Sequence, residues 1–203
     1  MKYAICIDTE TTGKWNFKLP PDHATQPRAC QIATAVVDEN ASVKARFSSL
    51  IIPDGWKIDP EAAAVNKLSD ELCCAVGMPI LCVLQILEMM ASKCTMVIAH
   101  NLDFDEAVVQ NEYRKKDLSK NAMAGLERFC TMKASAPILK IAGKYGDFKW
   151  PKLAETHRHF FKCDFDGAHD AMADVEACLK CYFAIKAFLA PPVVPDPVAV
   201  ESK

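Results

Sequence analysis

The sequence predicts an α/β fold with a mixed central sheet flanked by helices in three layers. Three observations support this prediction. An alternating apolar run opens the chain, two more strand-like runs follow with a short polar turn between them, and the remainder alternates helical and strand-like segments. Strands followed by alternating helices and strands are typical of a sheet that is covered on both faces.

The first part of the chain supplies the antiparallel part of the predicted sheet. Strands are predicted at residues 2–8, 30–38 and 43–52. Tyr3, Ile5 and Ile7 recur at every second position of the first strand, as in a buried strand. The second and third strands are joined by the short turn Glu39-Asn40-Ala41, so we expect them to form an antiparallel edge.

The remaining segments are predicted as helices separated by two short strands. The first two helices begin at or next to a proline, which is tolerated in the first turn because its missing N–H has no helical partner there. The helices are predicted at 60–66, 79–93, 101–116, 151–161 and 170–189, and the strands at 95–99, in the centre of the sheet, and 128–132.

Length and composition indicate one globular domain over residues 1–189. A chain of 203 residues can bury one good core but is short for two. Hydrophobic residues make up 51% and charged residues 25%, and no apolar run approaches the roughly 20 residues that span a bilayer. Residues 190–203 hold four prolines, so we expect a disordered tail. A solvated end is favoured over a segment that binds a protein partner.

The N-terminus and the ten cysteines indicate a cytoplasmic protein. The chain enters its first strand at once, so a cleavable signal peptide would remove the acids that follow. Reduced thiols then serve as small apolar side chains. A structural zinc site is the less favoured alternative, because Cys178 and Cys181 form a C-x-x-C downstream of His157, His159 and Cys163.

Three short acidic motifs contain the candidate catalytic and metal-binding residues. They are Asp8-Thr9-Glu10-Thr11-Thr12-Gly13, His100-Asn101-Leu102-Asp103-Phe104-Asp105 and His169-Asp170-Ala171-Met172-Ala173-Asp174. Residues two apart in a strand share a face, so Asp8 and Glu10 can converge on one cation while Thr9 points away.

In residues, order and spacing, these motifs resemble the DEDDh branch of the DnaQ-like 3′–5′ exonucleases. The resemblance runs from about Lys2 to about Leu189 and includes Gln31-Ile32-Ala33 on the second strand. The chain resembles the polymerase III epsilon proofreading subunit and stand-alone bacterial or phage exonucleases. This implies a ribonuclease H-like fold. One departure is Asn66-Lys67-Leu68-Ser69, where the family often has a His-Gly-Ile-Thr-like element.

The resemblance also implies a two-metal site. Asp8 would bridge both ions, Glu10 and Asp174 would hold one of them, and Asp105 would anchor the other. Carboxylates supply hard oxygen ligands, so Mg²⁺ is expected, with Mn²⁺ able to substitute. His169 would be the general base, because histidine is the side chain that titrates near neutral pH.

Two further acids compete for these roles. Asp103 and Asp170 lie close in sequence to Asp105 and Asp174, and the motif alignment favours the latter pair. Asp170 also fits a helix N-cap.

The predicted substrate contacts surround the acids. A loop between residues 13 and 30 mixes aromatic residues with Lys14, Lys18, His23 and Arg28, which suits it to stack on bases and touch phosphates. Packing of its two aromatic rings beneath the loop is an equally favoured alternative. The histidine and asparagine of the second motif would cap the helix or orient the site, and the phenylalanine would pack beneath it. The full predicted set is Thr11, Thr12, Gly13, Trp15, Phe17, His100, Asn101 and Phe104.

The function implied by the resemblance is removal of nucleoside monophosphates from the 3′ end of single-stranded DNA, with duplex ends as a further substrate. RNA trimming is the alternative, since no motif reports contacts to a 2′-hydroxyl. A non-catalytic nucleic-acid-binding module and an aspartyl phosphatase are less favoured. The net charge of −2 is unusual for a polyanion binder, but two bound divalent cations would change it to +2.

Overall fold

A five-stranded mixed sheet forms the centre of the computed structural model, which describes residues 2–119, 121–144 and 146–191. The strand order is β3-β2-β1-β4-β5. The pairs β1–β2 and β2–β3 are antiparallel, whereas β1–β4 and β4–β5 are parallel. The strands are β1 (Tyr3–Thr11), β2 (Ala29–Asp38), β3 (Val43–Leu50), β4 (Met96–Ala99) and β5 (Glu127–Cys130).

Seven helices are found in the described part of the chain, and they cover both faces of the sheet. They are α1 (Pro60–Asn66), α2 (Asp70–Val76), α3 (Ile80–Ala91), α4 (Leu102–Lys115), α5 (Thr131–Leu139), α6 (Leu153–Phe161) and α7 (Ala171–Leu189). The predicted three-layer α/β fold is confirmed. No helix among the described residues is long and apolar enough to cross a bilayer.

The alternation of side chains along β1 assigns each position to one of two cores. Ile5 and Ile7 pack in the cluster that includes residues of α3 and α4. Cys6 packs in the other cluster with residues of α7, and its thiol lies 3.8 Å from the carbonyl oxygen of Val175. Even-numbered positions of β1 therefore face α7, and odd-numbered positions face α3 and α4.

Two helices were not predicted. The first is α2, which begins after Ser69, whose hydroxyl accepts from the backbone N–H of Leu72. The second is α5, whose first residues Thr131 and Met132 were assigned to the preceding strand. Pro137 argues against a helix from sequence, yet it lies inside α5, where it lacks the N–H that would bond to the carbonyl oxygen four residues earlier. Of the predicted tail, residues 192–203 lie outside the described residues.

The predicted contact of Arg28 with phosphate is wrong, because this side chain is held in an internal ion-pair network. Its Nε and Nη2 atoms donate to the carboxylate of Glu112, each at 2.8 Å, and Nη1 lies 2.9 Å from Asp54. Glu112 also accepts from the backbone N–H of Ala29 at 3.0 Å, and its side chain is 1% exposed. The network therefore ties the start of β2 to α4.

Replacing Arg28 by methionine should destabilise the fold by about 3–5 kcal/mol, because Glu112 would remain as a buried, unpaired charge. Urea unfolding followed by circular dichroism measures this loss. Arg114→Met is the matched control, because Arg114 is exposed on α4, the helix that carries Glu112. We expect this change to alter the free energy of unfolding by no more than about 0.5 kcal/mol. Equal losses in the two variants would contradict the role of the network.

Candidate active site

The end of β1 and the start of α7 bring three predicted site residues together. The possible ligand atoms of Glu10, His169 and Asp174 all lie within 4.8 Å of one another. Glu10 has an even number on β1 and therefore faces α7, and Asp174 lies in the first turn of that helix. Residues far apart in sequence thus converge at one end of the sheet.

The N-terminus of α7 is fixed by its own side chains. The Oδ1 atom of Asp170 accepts from the backbone N–H groups of Met172 and Ala173 at 3.1 Å, which confirms that Asp170 is an N-cap. His169 has a left-handed backbone with φ of 70°, and its N–H donates to Oδ2 of Asp174 at 3.2 Å. This hydrogen bond positions the histidine beside the carboxylate.

Asp105 is held by Thr9, which sequence reasoning did not include in the site. Thr9 points to the face opposite Glu10, as predicted. There its backbone N–H and its hydroxyl both donate to Oδ1 of Asp105, at 3.0 and 2.9 Å. Asp105 lies in the first turn of α4 and is 2% exposed. The residue between the two acids of β1 therefore positions the acid from the second motif.

The four acids are close enough to repel one another. Burial, then repulsion by Asp174 and Asp105, raises the pKa of Glu10 to about 8. Burial raises the pKa of Asp105 to about 7 despite its bonds from Thr9. The pKa of Asp8 is also raised, first by burial and then by Asp105, Asp174 and Glu10. Burial is likewise the main cause of the raised pKa of Asp174.

This donor set fits a divalent cation. Buried carboxylates that raise one another's pKa need a positive partner to ionise together, and the described ion pairs include none to these four acids. Carboxylate oxygens are the ligands that hard cations such as Mg²⁺ and Mn²⁺ prefer. The residues therefore fit the implied metal centre.

Asp103 is engaged elsewhere. Its carboxylate accepts from Arg128 at 2.8 Å and also from Lys133, and it is partly exposed. It already has two cationic partners, whereas Asp105 contacts Thr9 and repels the other acids. The geometry thus favours Asp105 as the acid that the second motif contributes.

A cavity of about 850 Å³ opens beside Glu10. Four predicted substrate contacts line it, namely Thr11, Gly13, Trp15 and Phe104. A Cβ atom at Gly13 would lie only 2.8 Å from Oδ2 of Asp59, so a side chain there would force Asp59 aside. Part of the lining comes from α1 and the residue before it, which sequence reasoning did not assign to the site. These residues are Asp59, Pro60, Glu61, Ala62, Val65 and Asn66.

The other predicted contacts lie apart from the cavity lining. Thr12 is buried, and its hydroxyl accepts from the backbone N–H of Arg28 at 2.9 Å. Phe17 is 65% exposed, with its ring 6.4 Å from that of Trp15. Asn101 forms no side-chain cap to α4 and has φ of 73°. Neither alternative for the aromatic loop, stacking on bases or packing beneath the loop, applies to both rings. Trp15 lines the cavity and packs against the core, whereas Phe17 faces solvent.

His100 is fixed at the end of β4 by both ring nitrogens. Nδ1 lies 2.9 Å from the hydroxyl of Thr131, and Nε2 lies 2.9 Å from the carbonyl oxygen of Pro151. Burial lowers its pKa to about 4, so the ring is neutral at physiological pH. A neutral ring has one N–H, which Pro151 accepts from Nε2. His100 is thus a positioning residue that joins β4 to the segment before α6.

The alternative zinc site is not formed. Cys178, Cys181 and His157 are buried, whereas Cys163 is exposed. Throughout the described ranges, the cluster with metal-ligand spacing is the one at Glu10, and it includes none of these residues. Cys178 instead lies 3.4 Å from the hydroxyl of Thr131 in the core.

Residues 5–182 match the RNase_T exonuclease family. The chain therefore belongs to this family, which confirms the resemblance to the DnaQ-like exonucleases. No curated protein sequence matches the chain.

Solved structures of Escherichia coli exonuclease I share the fold. The complex with a dT13 oligonucleotide is 18% identical, with a TM-score of 0.72, over 92% of this chain and 41% of that chain. The zinc-bound complex with single-stranded DNA is 20% identical, with a TM-score of 0.69, over 93% and 41%. The chain spans about two fifths of the length of these proteins.

Thr9→Val should weaken divalent-cation binding about 10-fold, because Asp105 loses the hydroxyl donor that orients it. Titration of the metal-free protein with Mn²⁺ in a calorimeter measures the affinity. Thr34→Val is the matched control, because this buried threonine donates to the carbonyl oxygen of Cys6 at 2.8 Å. Both variants should lose about 1 kcal/mol of stability. Equal cation affinities in the two would contradict the positioning role of Thr9.

The metal-free protein should lose stability as the pH rises from about 4.5 to about 8. In this interval the unfolded chain releases the Glu10 proton while the folded state retains it, so deprotonation favours unfolding. Glu10→Gln should flatten the dependence and raise Tm at pH 8 by a few degrees, since about 1 kcal/mol moves Tm by roughly 2–4 °C at this size.

Thermal unfolding in EDTA across this pH range is the measurement, and saturating Mg²⁺ should restore the stability of the original protein. Glu39→Gln, a change in an exposed turn, serves as the control. A pH profile that Glu10→Gln leaves unchanged would contradict the repulsion within the cluster.

Proposed function

We propose that this protein is a metal-dependent 3′–5′ exonuclease of the DEDDh type, acting on the 3′ end of single-stranded DNA and releasing nucleoside monophosphates. Duplex ends are a second substrate in this proposal. The observation that carries it is the convergence of Glu10, His169 and Asp174 next to a cavity. At about 850 Å³, the cavity falls within the roughly 300–1,000 Å³ of small-ligand pockets, so one terminal nucleotide fits there.

Four carboxylates would hold two Mg²⁺ ions, namely those of Asp8, Glu10, Asp105 and Asp174. When bound, the ions supply positive charge that stabilises the attacking and departing oxygens of a phosphodiester. The protein contributes the fixed positions of the oxygens. Thr9 orients Asp105, and the backbone N–H of His169 orients Asp174.

His169 is assigned as the general base that takes a proton from the attacking water. Its ring is exposed, so the proton can pass on to solvent, and it lies close to the carboxylates of Glu10 and Asp174. The hydrogen bond from its own backbone to Asp174 fixes the distance between base and cluster. The spacing of five residues between His169 and Asp174 allows this hydrogen bond to form.

The cavity lining suits the last nucleotide of a strand. The ring of Trp15 offers a stacking surface for a base. Gly13 presents no side chain, and Glu10 borders the cavity, where its carboxylate can accept from the terminal 3′-hydroxyl. A pocket for one 3′-terminal nucleotide supports cleavage from that end.

DNA is favoured over RNA as the substrate. E. coli exonuclease I, which shares the fold, has been solved with dT13 and with dA16 oligonucleotides. The test of function therefore includes matched DNA and RNA strands.

All ten cysteines are free, and reduced thiols support a cytoplasmic location.

A 5′-labelled single strand incubated with Mg²⁺ should give a ladder that shortens from the 3′ end, with DNA degraded faster than matched RNA. Asp105→Asn and Asp174→Asn should lower kcat at least about 100-fold, and His169→Ala about 100- to 10,000-fold. Asp103→Asn should stay within a few-fold, because Asp103 is held by Arg128 and Lys133.

The controls decide between the alternatives. A stable shifted complex without shortening would support a non-catalytic binder. Faster loss of RNA would reverse the substrate assignment. Equal losses for Asp103→Asn and Asp105→Asn would overturn the choice of acid in the second motif.

A further inference from the structure

A basic and aromatic hairpin connects α5 to α6, and it has no role in the site described above. We define the hairpin surface as Lys140, Phe148, Lys149, Trp150 and Lys152. Phe148 is 46% exposed and Trp150 is 59% exposed, so two aromatic rings lie on the surface within three residues of chain. Exposed rings between lysines suit stacking on unpaired bases.

Backbone pairing holds these residues together. Ala142 and Phe148 form an antiparallel bridge, and the N–H of Lys149 donates to the carbonyl oxygen of Ile141 at 3.0 Å. Lys140 and Trp150 each lie one residue beyond the hydrogen-bonded pair of Ile141 and Lys149, so both lie at the base of the hairpin.

The base of the hairpin is attached to the catalytic end of the sheet. The carbonyl oxygen of Pro151 lies 2.9 Å from Nε2 of His100, which directly follows β4. Cys6 of β1 pairs with Ile98 of β4, so the same parallel register brings Asp8 level with His100. The hairpin is therefore attached to the strand next to the one that carries Asp8 and Glu10, at the same end of the sheet.

The charge of this segment has the sign that a phosphate backbone requires. Residues 140–152 hold four lysines and one aspartate, in a chain with a net charge of −2. Lys149 is paired with Glu155 at 2.7 Å. Lys140 and Lys152 make no ion pair with the residues that the structure describes. Lys152 also lies near Glu155, whose pKa is lowered first by Lys149 and to a smaller extent by Lys152. Lys140 and Lys152 are therefore the cations left to contact a ligand.

We propose that the hairpin surface binds the single strand on the 5′ side of the scissile phosphate, with Trp150 stacking on a base and Lys140 and Lys152 contacting phosphates. This inference rests on the proposed exonuclease function. The cavity borders Glu10, and the hairpin is attached to His100, which lies level with Asp8 in the register of β1 and β4. A strand that runs from the hairpin to the cavity therefore passes the acids.

The test compares hydrolysis of dT8 with that of the dinucleotide dT2, which is too short to reach the hairpin. Trp150→Ala should raise KM for dT8 about 10-fold, because stacking on one base contributes about 1–3 kcal/mol. Its kcat, and its kcat/KM for dT2, should stay unchanged. Trp150→Phe should restore most of the affinity, since any aromatic ring can stack.

The lysines are tested by salt dependence. Lys140→Gln combined with Lys152→Gln should lower the slope of log affinity against log salt by about 0.7 for each lost phosphate contact. Fluorescence anisotropy of labelled dT8, with Ca²⁺ in place of Mg²⁺, gives this slope. Lys93→Gln and Phe188→Ala are the matched controls. Lys93 precedes β4 at the opposite end from His100, and Phe188 is 62% exposed near the C-terminal end of α7.

The outcomes separate the two proposals. If the original protein shortens both strands and the hairpin variants match the controls, the hairpin proposal is overturned while the exonuclease function stands. Equal losses on dT2 and dT8 would also overturn it, because they would show a defect at the acids. If the original protein neither hydrolyses nor binds any strand, both proposals fail.

Discussion

The alternation of side chains along β1 is the constraint on which the site depends. Even-numbered positions face α7, so Glu10 meets Asp174 and His169. The odd-numbered Thr9 faces α4 and holds Asp105. A shift of one residue in the register of β1 would send each of these side chains to the wrong face. One strand thereby assembles acids from three distant motifs.

The same arrangement stores electrostatic repulsion in the folded protein. Glu10 and Asp105 have raised pKa values because burial and neighbouring acids disfavour their charged forms. Two large apolar clusters on the faces of the sheet offset this cost. The acids are therefore fixed in place by packing and by hydrogen bonds, without a contribution from a cation.

The surroundings of the cluster are asymmetric. On one side lies the cavity lined by Trp15, Gly13 and residues of α1. The Arg28–Glu112 ion pair anchors the loop that carries Trp15. On the other side, His100 ties the hairpin before α6 to the end of β4. Two basic and aromatic segments thus flank the acids, and each is attached by a buried polar contact.

The strands and most helices could be predicted because their signals are local. The alternation in β1 and the proline at the start of α1 are visible in sequence. The helix α5 could not be predicted in this way, because Pro137, a local signal against helix, lies inside it. Arg28 was misassigned because its partner Glu112 is far away in sequence, so its ion pair could not be inferred.

The sequence by itself determined the family and the order of most elements, and it predicted the acids of the three motifs, because each depends on short contiguous patterns. The motif alignment favoured Asp105 over Asp103, and only the tertiary structure supplied the physical reason. That reason depends on Arg128, Lys133 and Thr9, which come from other elements. The tertiary structure likewise revealed the cavity wall from α1 and the attachment of the hairpin to His100. These features depend on distances between residues that folding brings together, and no local pattern encodes such distances.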